Sequence, residues 1–399
     1  MPLIKDSSPF YSGRPLPREL FSGRDEQLQR IERSLKQVAA GKQQAVFLTG
    51  EFGIGKSSLA HATRYIAEAK YDLVGIHVLL GGAKTLDDLS ERTLEAALVN
   101  EAYKPKTTER IREMLSKYIG HQSLLGVNLN FDTLKADAPT LSRGFLPFLK
   151  ELYKRAQPDG AKGIYLILDE INGITKNPDF AHFIKTLVDG NALSNNPLPL
   201  MLLLCGVKER REEMIAHHKP IDRIFDIVEI QPMDEFEALH FFKKTFGAAG
   251  YTVDKSALNL MHSYSLGYPK AMNIIGDNVF WKAGHTNIEL HTAIDGVMAA
   301  ATEIGQKFIG RELLEIIESN SYKNILKKIV KNTASDELII SKAKITPLLT
   351  EVESGSFDNF IQKLKDIDVI RGGIEKEEYI FNDRLLRLFL TMKYGPNNH

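Results

Sequence analysis

Cysteine is almost missing from this chain of 399 residues: Cys205 stands alone. A single thiol excludes an intrachain disulfide framework and any structural zinc site built on cysteines, and it predicts a reducing, cytoplasmic setting. Net charge is missing too, since 51 Lys and Arg balance 51 Asp and Glu. The chain therefore has no bulk attraction for nucleic acid, although a local patch remains open. Long apolar runs are also lacking. The longest, Leu198 to Val207, is about half of the roughly 20 residues needed to span a bilayer. The first residues, MPLIKDSSPFYSGRPLPREL, hold no apolar segment of signal-peptide length. No membrane role is expected. No internal repeat or low-complexity stretch is visible. What is present is ordinary for a folded protein, with 43% hydrophobic and 26% charged residues. At this length a single core stops growing, so two or three domains are expected.

One segment is far more specific. Ala45 to Thr49 is an apolar run of strand length that feeds into Gly50-Glu-Phe-Gly-Ile-Gly-Lys-Ser57. This fits G-x-x-x-x-G-K-[ST] at every fixed position, and Ser58 to Ala69 reads as a helix behind it. The glycines Gly50, Gly53 and Gly55 let the backbone turn tightly and aim successive N–H groups, with those of Ile54 and Ser58, at an anion. The new helix adds its positive dipole end. Lys56 would reach the β- and γ-phosphates and the Ser57 hydroxyl would ligate Mg²⁺. The competing reading, a chance glycine turn, does not account for the strand before it and the helix after it.

A second apolar strand, Ile164 to Leu168, runs into Asp169-Glu170. Alone, this is an acidic strand end capping the next turn. Paired with the upstream phosphate loop it is a Walker B arrangement. Asp169 then supports Mg²⁺, and Glu170 polarises the attacking water, which favours ATP hydrolysis over binding alone. No Asn-Lys-x-Asp element for guanine is present, and helicase motifs are not recognisable.

With these motifs the chain resembles the AAA+ superfamily, in particular origin-recognition and replication-initiator ATPases and the archaeal and bacterial STAND-type ATPases with a winged-helix tail. The resemblance implies an α/β fold: a P-loop parallel sheet with helices on both faces, an α-helical lid and a C-terminal winged helix. It places the ATPase core at 1–232 with an insertion at about 84–145, the lid at 233–309 and the winged helix at 310–399. Phe21-Ser-Gly-Arg-Asp-Glu26 looks like the family's F-x-G-R-x-E segment. The resemblance puts Phe21, Ser22 and Gly23 in the adenine pocket, while Ser22 or Asp25 is also a candidate helix cap. Cys205-Gly206 occupies the sensor-one slot, where a thiol is a weak donor and Lys208 an alternative. Read without the resemblance, Cys205 is a small buried residue ending a core strand.

Further along, Asp222-Arg-Ile-Phe-Asp looks like the arginine-finger region. The resemblance implies that Arg223 reaches the nucleotide of a neighbouring copy, which requires a homo-oligomer. Arg210 and Arg211 compete for that role, and a solvated arginine is the plain alternative. Pro232-Met-Asp-Glu-Phe-Glu-Ala238 fits the opening of the lid, with Asp234 as its cap. Ser265-Leu-Gly-Tyr-Pro-Lys-Ala271 resembles the sensor-two turn, with Lys270 where arginine is usual. Lysine keeps the charge and loses the bidentate fork. Equally, Lys270 is a helix-start lysine facing water.

The insertion reads as helices at Leu86 to Asn100 and Thr107 to Tyr118, then an alternating strand at Gly126 to Phe131. It lacks a basic or aromatic cluster, so a DNA contact and a structural cover are both open. In the tail, apolar spacing predicts helices over Ser321 to Lys331 and Phe357 to Ile367, a hairpin at Val369 to Phe381, and a last helix from Arg384 capped by Asp383. From Arg311 onward there are 14 basic and 14 acidic residues, and the hairpin is acidic. DNA contact and protein docking therefore stay open for this module. The expected function is an Mg²⁺-dependent ATPase whose nucleotide state drives assembly on DNA or a DNA-associated partner. The alternative is a STAND-like switch that docks a protein effector.

Overall fold

The computed structural model describes residues 7–11, 23–99, 108–111, 113, 138–307, 312–333, 337–367, 369–373 and 375–395. Phe21 and Ser22, the alternating segment Gly126 to Phe131 and most of Thr107 to Tyr118 lie outside them. The chain forms two compact units, Pro15–Gln231 and Met1–Arg14 with Pro232–His399.

The first unit is built on five parallel strands: β1 (Gln44–Thr49), β2 (Leu73–Leu79), β3 (Gly163–Asp169), β4 (Leu200–Gly206) and β5 (Asp226–Glu229), in the spatial order β2-β3-β4-β1-β5. Its helices are α1 (Asp25–Ala39), α2 (Lys56–Tyr71), α3 (Leu86–Leu98), α4 (Ala138–Ala156), α5 (Pro178–Ala192) and α6 (Lys208–His217). Every residue of β3 and β4 is buried. That is why these strands read as continuous apolar runs without alternation: a parallel sheet covered on both faces has no wet side. β1 pairs with β4 on one side and β5 on the other, Leu48 opposite Cys205 and Thr49 opposite Gly206. β3 pairs with β4 with Leu168 opposite Leu204, and with β2 with Asp169 opposite Leu79. The carboxyl ends of β1, β3 and β4 are thus level with one another, and the loops that leave these strands meet at one edge of the sheet.

The sequence places helix caps at two positions that the structure treats differently. Asp234 forms a full capping box with Glu237, as its spacing predicts. α1, however, starts behind Arg24 in a left-handed conformation that gives no side-chain cap, with Asp25 already inside the helix; Ser22 lies outside the described residues. Asp25 and Glu26 in its first turn offset the helix dipole instead.

The second unit opens with α7 (Glu235–Ala248), α8 (Lys255–Ser265), α9 (Pro269–Lys282) and α10 (Leu290–Lys307), with a two-stranded pair β6 (Thr252–Val253) and β7 (Asn287–Ile288). After α11 (Glu312–Ile316) come α12 (Asn320–Asn332), β8 (Ile339–Ser341), α13 (Lys342–Ile345), α14 (Glu351–Asp366), β9 (Ile370–Gly372), β10 (Glu378–Phe381) and α15 (Arg384–Tyr394). β10 lies between β8 and β9, antiparallel to both. Helices followed by a three-stranded sheet with a terminal hairpin are the winged-helix plan. Ile325, Leu326, Ile329 and Val330 of α12 and Phe357, Phe360, Ile361 and Leu364 of α14 are all buried, the faces expected from their spacing.

The start of the chain belongs to this same unit. Phe10 is buried, its ring 4.7 Å from Phe246 and 6.1 Å from Phe241 on α7. The site is made for it on α9: a Cβ at Gly276 would stand 2.2 Å from the Phe10 ring. The Tyr11 N–H donates to Asn273 Oδ1 at 3.0 Å.

Candidate functional site

The loop between β1 and α2 takes its shape from its glycines. Gly53 and Gly55 sit at φ 76° and 101°, a left-handed conformation that strains any residue with a Cβ. Gly50 needs its small size for a different reason, because a Cβ there would lie 2.8 Å from the Ile230 carbonyl oxygen. α2 begins at Lys56, directly after Gly55, so the first amides of the helix, with Ser57 and Ser58, face out of the loop. Ile54 is buried beneath it. Lys56 Nζ donates to the carbonyls of Gly50 and Glu51, 2.9 Å each, which places a cation inside the loop. Burial pulls the Lys56 ammonium below its ordinary pKa, opposed by the nearby carboxylates of Asp169, Glu170 and Glu51.

Asp169 is buried at the end of β3. Its Oδ1 accepts the Glu170 N–H at 2.9 Å, and its Oδ2 lies 3.1 Å from His77 Nε2 on β2. The Cys205 thiol is buried at the end of β4, near the same carboxylate. Burial first, and the Asp169 charge next, push that thiol well above its ordinary pKa. Glu170 is exposed and left-handed at φ 57°, a strained conformation for a residue with a side chain. Its carboxylate lies over Gly81 in the loop after β2, where a Cβ would come within 2.3 Å of Oε2. That loop is held by Arg92 Nη1, which donates to the carbonyls of Leu79 and Gly81, 2.8 Å each.

These residues fit a nucleotide with a hard divalent cation. The loop offers amides and an ammonium for phosphate, and Ser57 and Asp169 offer oxygen donors. Among the described residues no group of three or more His, Cys, Asp or Glu is arranged to hold a metal. A cation here would draw its remaining oxygens from phosphate and water, as Mg²⁺ does.

Of the remaining sequence-based candidates, Gly23 precedes a residue to which the motifs give no role. Arg24 is buried, and its guanidinium donates to the Gln231 carbonyl and to the Ile54 carbonyl at 3.3 Å. It ties the segment before α1 to the phosphate loop and to the chain beyond β5. Arg210 is paired with Glu213, and Arg211 with Asp222. Arg223, just before β5, is exposed and makes no hydrogen bond or ion pair among the described residues. Lys208 is exposed at the start of α6. Lys270 belongs to the second unit, where burial lowers its pKa and the nearby Asp383 carboxylate opposes that shift. The turn before it is fixed by Gly267, at φ 73°, whose carbonyl accepts the Met233 N–H at 2.9 Å. His77, Gly81 and Arg92 are the site-lining residues that motifs do not reveal. The one signal for His77 is an imidazole inside an otherwise apolar strand.

Residues 20–203 match the family described as AAA ATPase domain. No curated protein matches the chain in sequence. In fold the chain is similar to the Walker-type ATPase PABY2304 of Pyrococcus abyssi, with 19% identity and a TM-score of 0.55, covering 93% of this chain and 96% of that one. It is also similar to the ORC2 protein of Aeropyrum pernix, solved as ADPNP and ADP complexes. That match has 13% identity and a TM-score of 0.58, covering 94% of this chain and 97% of the other. No helix among the described residues is long and apolar enough to cross a membrane.

Proposed function

We propose that this chain, a P-loop ATPase of the AAA+ type, couples its nucleotide state to the assembly of its copies on DNA or on a DNA-associated partner. The observation that carries the nucleotide chemistry is the meeting of Lys56, Asp169 and Cys205 at the level carboxyl ends of three adjacent strands, with Glu170 at their rim. In this reading Lys56 leaves the carbonyls of Gly50 and Glu51 for the β- and γ-phosphates, cradled by the amides of Gly50, Gly53, Ile54, Gly55, Ser57 and Ser58. Ser57 and Asp169 hold Mg²⁺, which when bound neutralises phosphate charge. Glu170 accepts a proton from the attacking water. Phe21 and Gly23 line the base, and Lys270 takes the sensor-two role.

Arg223 is the choice for the finger acting on a neighbouring copy, because Arg210 and Arg211 are already engaged by carboxylates. The same reading divides the chain into a core at 1–232, a lid at 233–309 and a winged helix at 310–399. Glu170→Gln tests the chemistry: ATP binding should persist while turnover falls by about 10²–10⁴-fold. Intact turnover would remove Glu170 from the reaction.

One observation favours the second reading, a switch that docks a protein effector. In the winged helix Lys342 is neutralised by Asp358 at 2.7 Å and faces Glu377 at 3.8 Å, beside a wing that also holds Glu375 and Glu378. A phosphate backbone would meet acid there. A titration with duplex DNA across salt concentrations, ATP present, decides between the two. Steeply salt-dependent binding supports assembly on DNA, and no binding at low salt supports the switch.

A further inference from the structure

We propose that His77 is a positioning residue for Asp169: it fixes the carboxylate plane on which the metal-bound form of the site depends. This rests on the reading of Asp169 as the metal-side carboxylate.

β2 runs Leu-Val-Gly-Ile-His-Val-Leu, and His77 is its one residue with a polar side chain. A largely covered imidazole in such a strand costs free energy unless it finds a partner, and a leucine or valine would fill the space without that cost. The register supplies the partner. His77 pairs with Ile167, so it projects from the same face of the sheet as Asp169 two residues on. The side chains are 10% and 1% exposed and meet at 3.1 Å. In the tautomer with hydrogen on Nε2, the imidazole donates to the carboxylate oxygen.

Asp169 is then held on both oxygens. Oδ1 is fixed by the Glu170 N–H, from the residue immediately after it in the chain, and Oδ2 by His77, from a neighbouring strand. Lys56 does not take this place, because its ammonium donates to Gly50 and Glu51. A carboxylate gripped at one oxygen can rotate about its χ angles, whereas one gripped at both cannot. Each oxygen keeps a lone pair for a further partner, which in this reading is the cation beside the phosphate loop. Partners of this kind, one step behind the ligand, typically change metal affinity by about 10–100-fold when removed.

The test is calorimetric titration of the full chain with ATP, in Mg²⁺ and in EDTA, for the unaltered protein, His77→Leu, His77→Gln and Asp169→Asn. Leucine keeps the strand apolar and filled, and thermal unfolding checks that the fold is retained. Glutamine keeps an N–H donor. His77→Leu should lose about 10–100-fold of the affinity gained from Mg²⁺, with ATP affinity in EDTA unchanged and His77→Gln recovering part of the loss. An unchanged Mg²⁺ dependence in His77→Leu overturns the proposal. So does an equal loss in EDTA, which marks a structural role only. If Asp169→Asn also leaves the Mg²⁺ dependence intact, the assignment of Asp169 to the metal has failed rather than that of His77 alone.

Discussion

Replacing Gly81 with alanine separates catalysis from folding. The backbone of Gly81 is not in the left-handed region, so alanine meets no conformational strain there. Its new Cβ would stand 2.3 Å from Glu170 Oε2, where ordinary van der Waals contact begins near 3.4 Å. Arg92 pins the Gly81 carbonyl at 2.8 Å, so the loop cannot easily recede. The carboxylate is the free end of a side chain and will withdraw by about 1 Å. A misplacement of that size costs roughly 10²-fold in rate, or about 2.7 kcal/mol of barrier at 1.36 kcal/mol per decade. Phosphate release at saturating ATP and Mg²⁺ should therefore fall about 10²-fold, with nucleotide affinity and the thermal midpoint unchanged. Combining Gly81→Ala with Glu170→Gln should cost little more than Glu170→Gln alone, because both act on one group. A Gly81→Ala protein that turns over at the normal rate would refute the placement of Glu170 as the group that activates water.

Phe10→Ala should destabilise the second unit by about 3–5 kcal/mol, the range for an emptied aromatic site, read as a lowered unfolding midpoint. An unchanged midpoint would mean that the ring is not held there. Cys205 should resist thiol reagents at neutral pH until the protein unfolds, since burial raises its pKa. The same shift has a sign for stability. Above the ordinary thiol pKa the unfolded chain ionises while the fold keeps its proton, so stability falls as pH rises through that value, and Cys205→Ala should lack this loss. Specific ATPase activity should drop on dilution and in Arg223→Ala. Activity per chain that stays constant across a hundredfold dilution would exclude an arginine acting between copies.

The phosphate loop and the Asp169-Glu170 strand end were legible because their signals are local: an apolar strand, then glycines or acids at fixed offsets. The faces of α12 and α14 were legible for the same reason, periodicity within one element. His77 was not, because its meaning lies in Asp169, 92 residues away and brought near only by parallel pairing. Arg24 sat inside a segment that motif resemblance had singled out, yet its partners Ile54 and Gln231 come from two other places in the chain. β8 carries no sequence sign of its own, because three residues with no turn signal beside them are too few for a pattern. The left-handed backbone of Glu170 likewise has no sequence sign, since nothing about glutamate announces it.

The docking of Phe10 against α7 gives the order of synthesis a physical role. Phe10 is made well before its ring partners Phe241, Phe242 and Phe246, which lie more than two hundred residues further along the chain. At roughly 5–20 residues per second the ring waits about 10 to 45 seconds for the helix that covers it. In that interval the strands β1 to β5 emerge and pair. The first unit can therefore close while the apolar Phe10 is still uncovered, and that ring finds its cover only after α7 and α9 have been made. Slowed or interrupted synthesis would lengthen the exposure of that one side chain. Segments 7–11 and 235–282 form a pair that recombination or truncation cannot separate without loss.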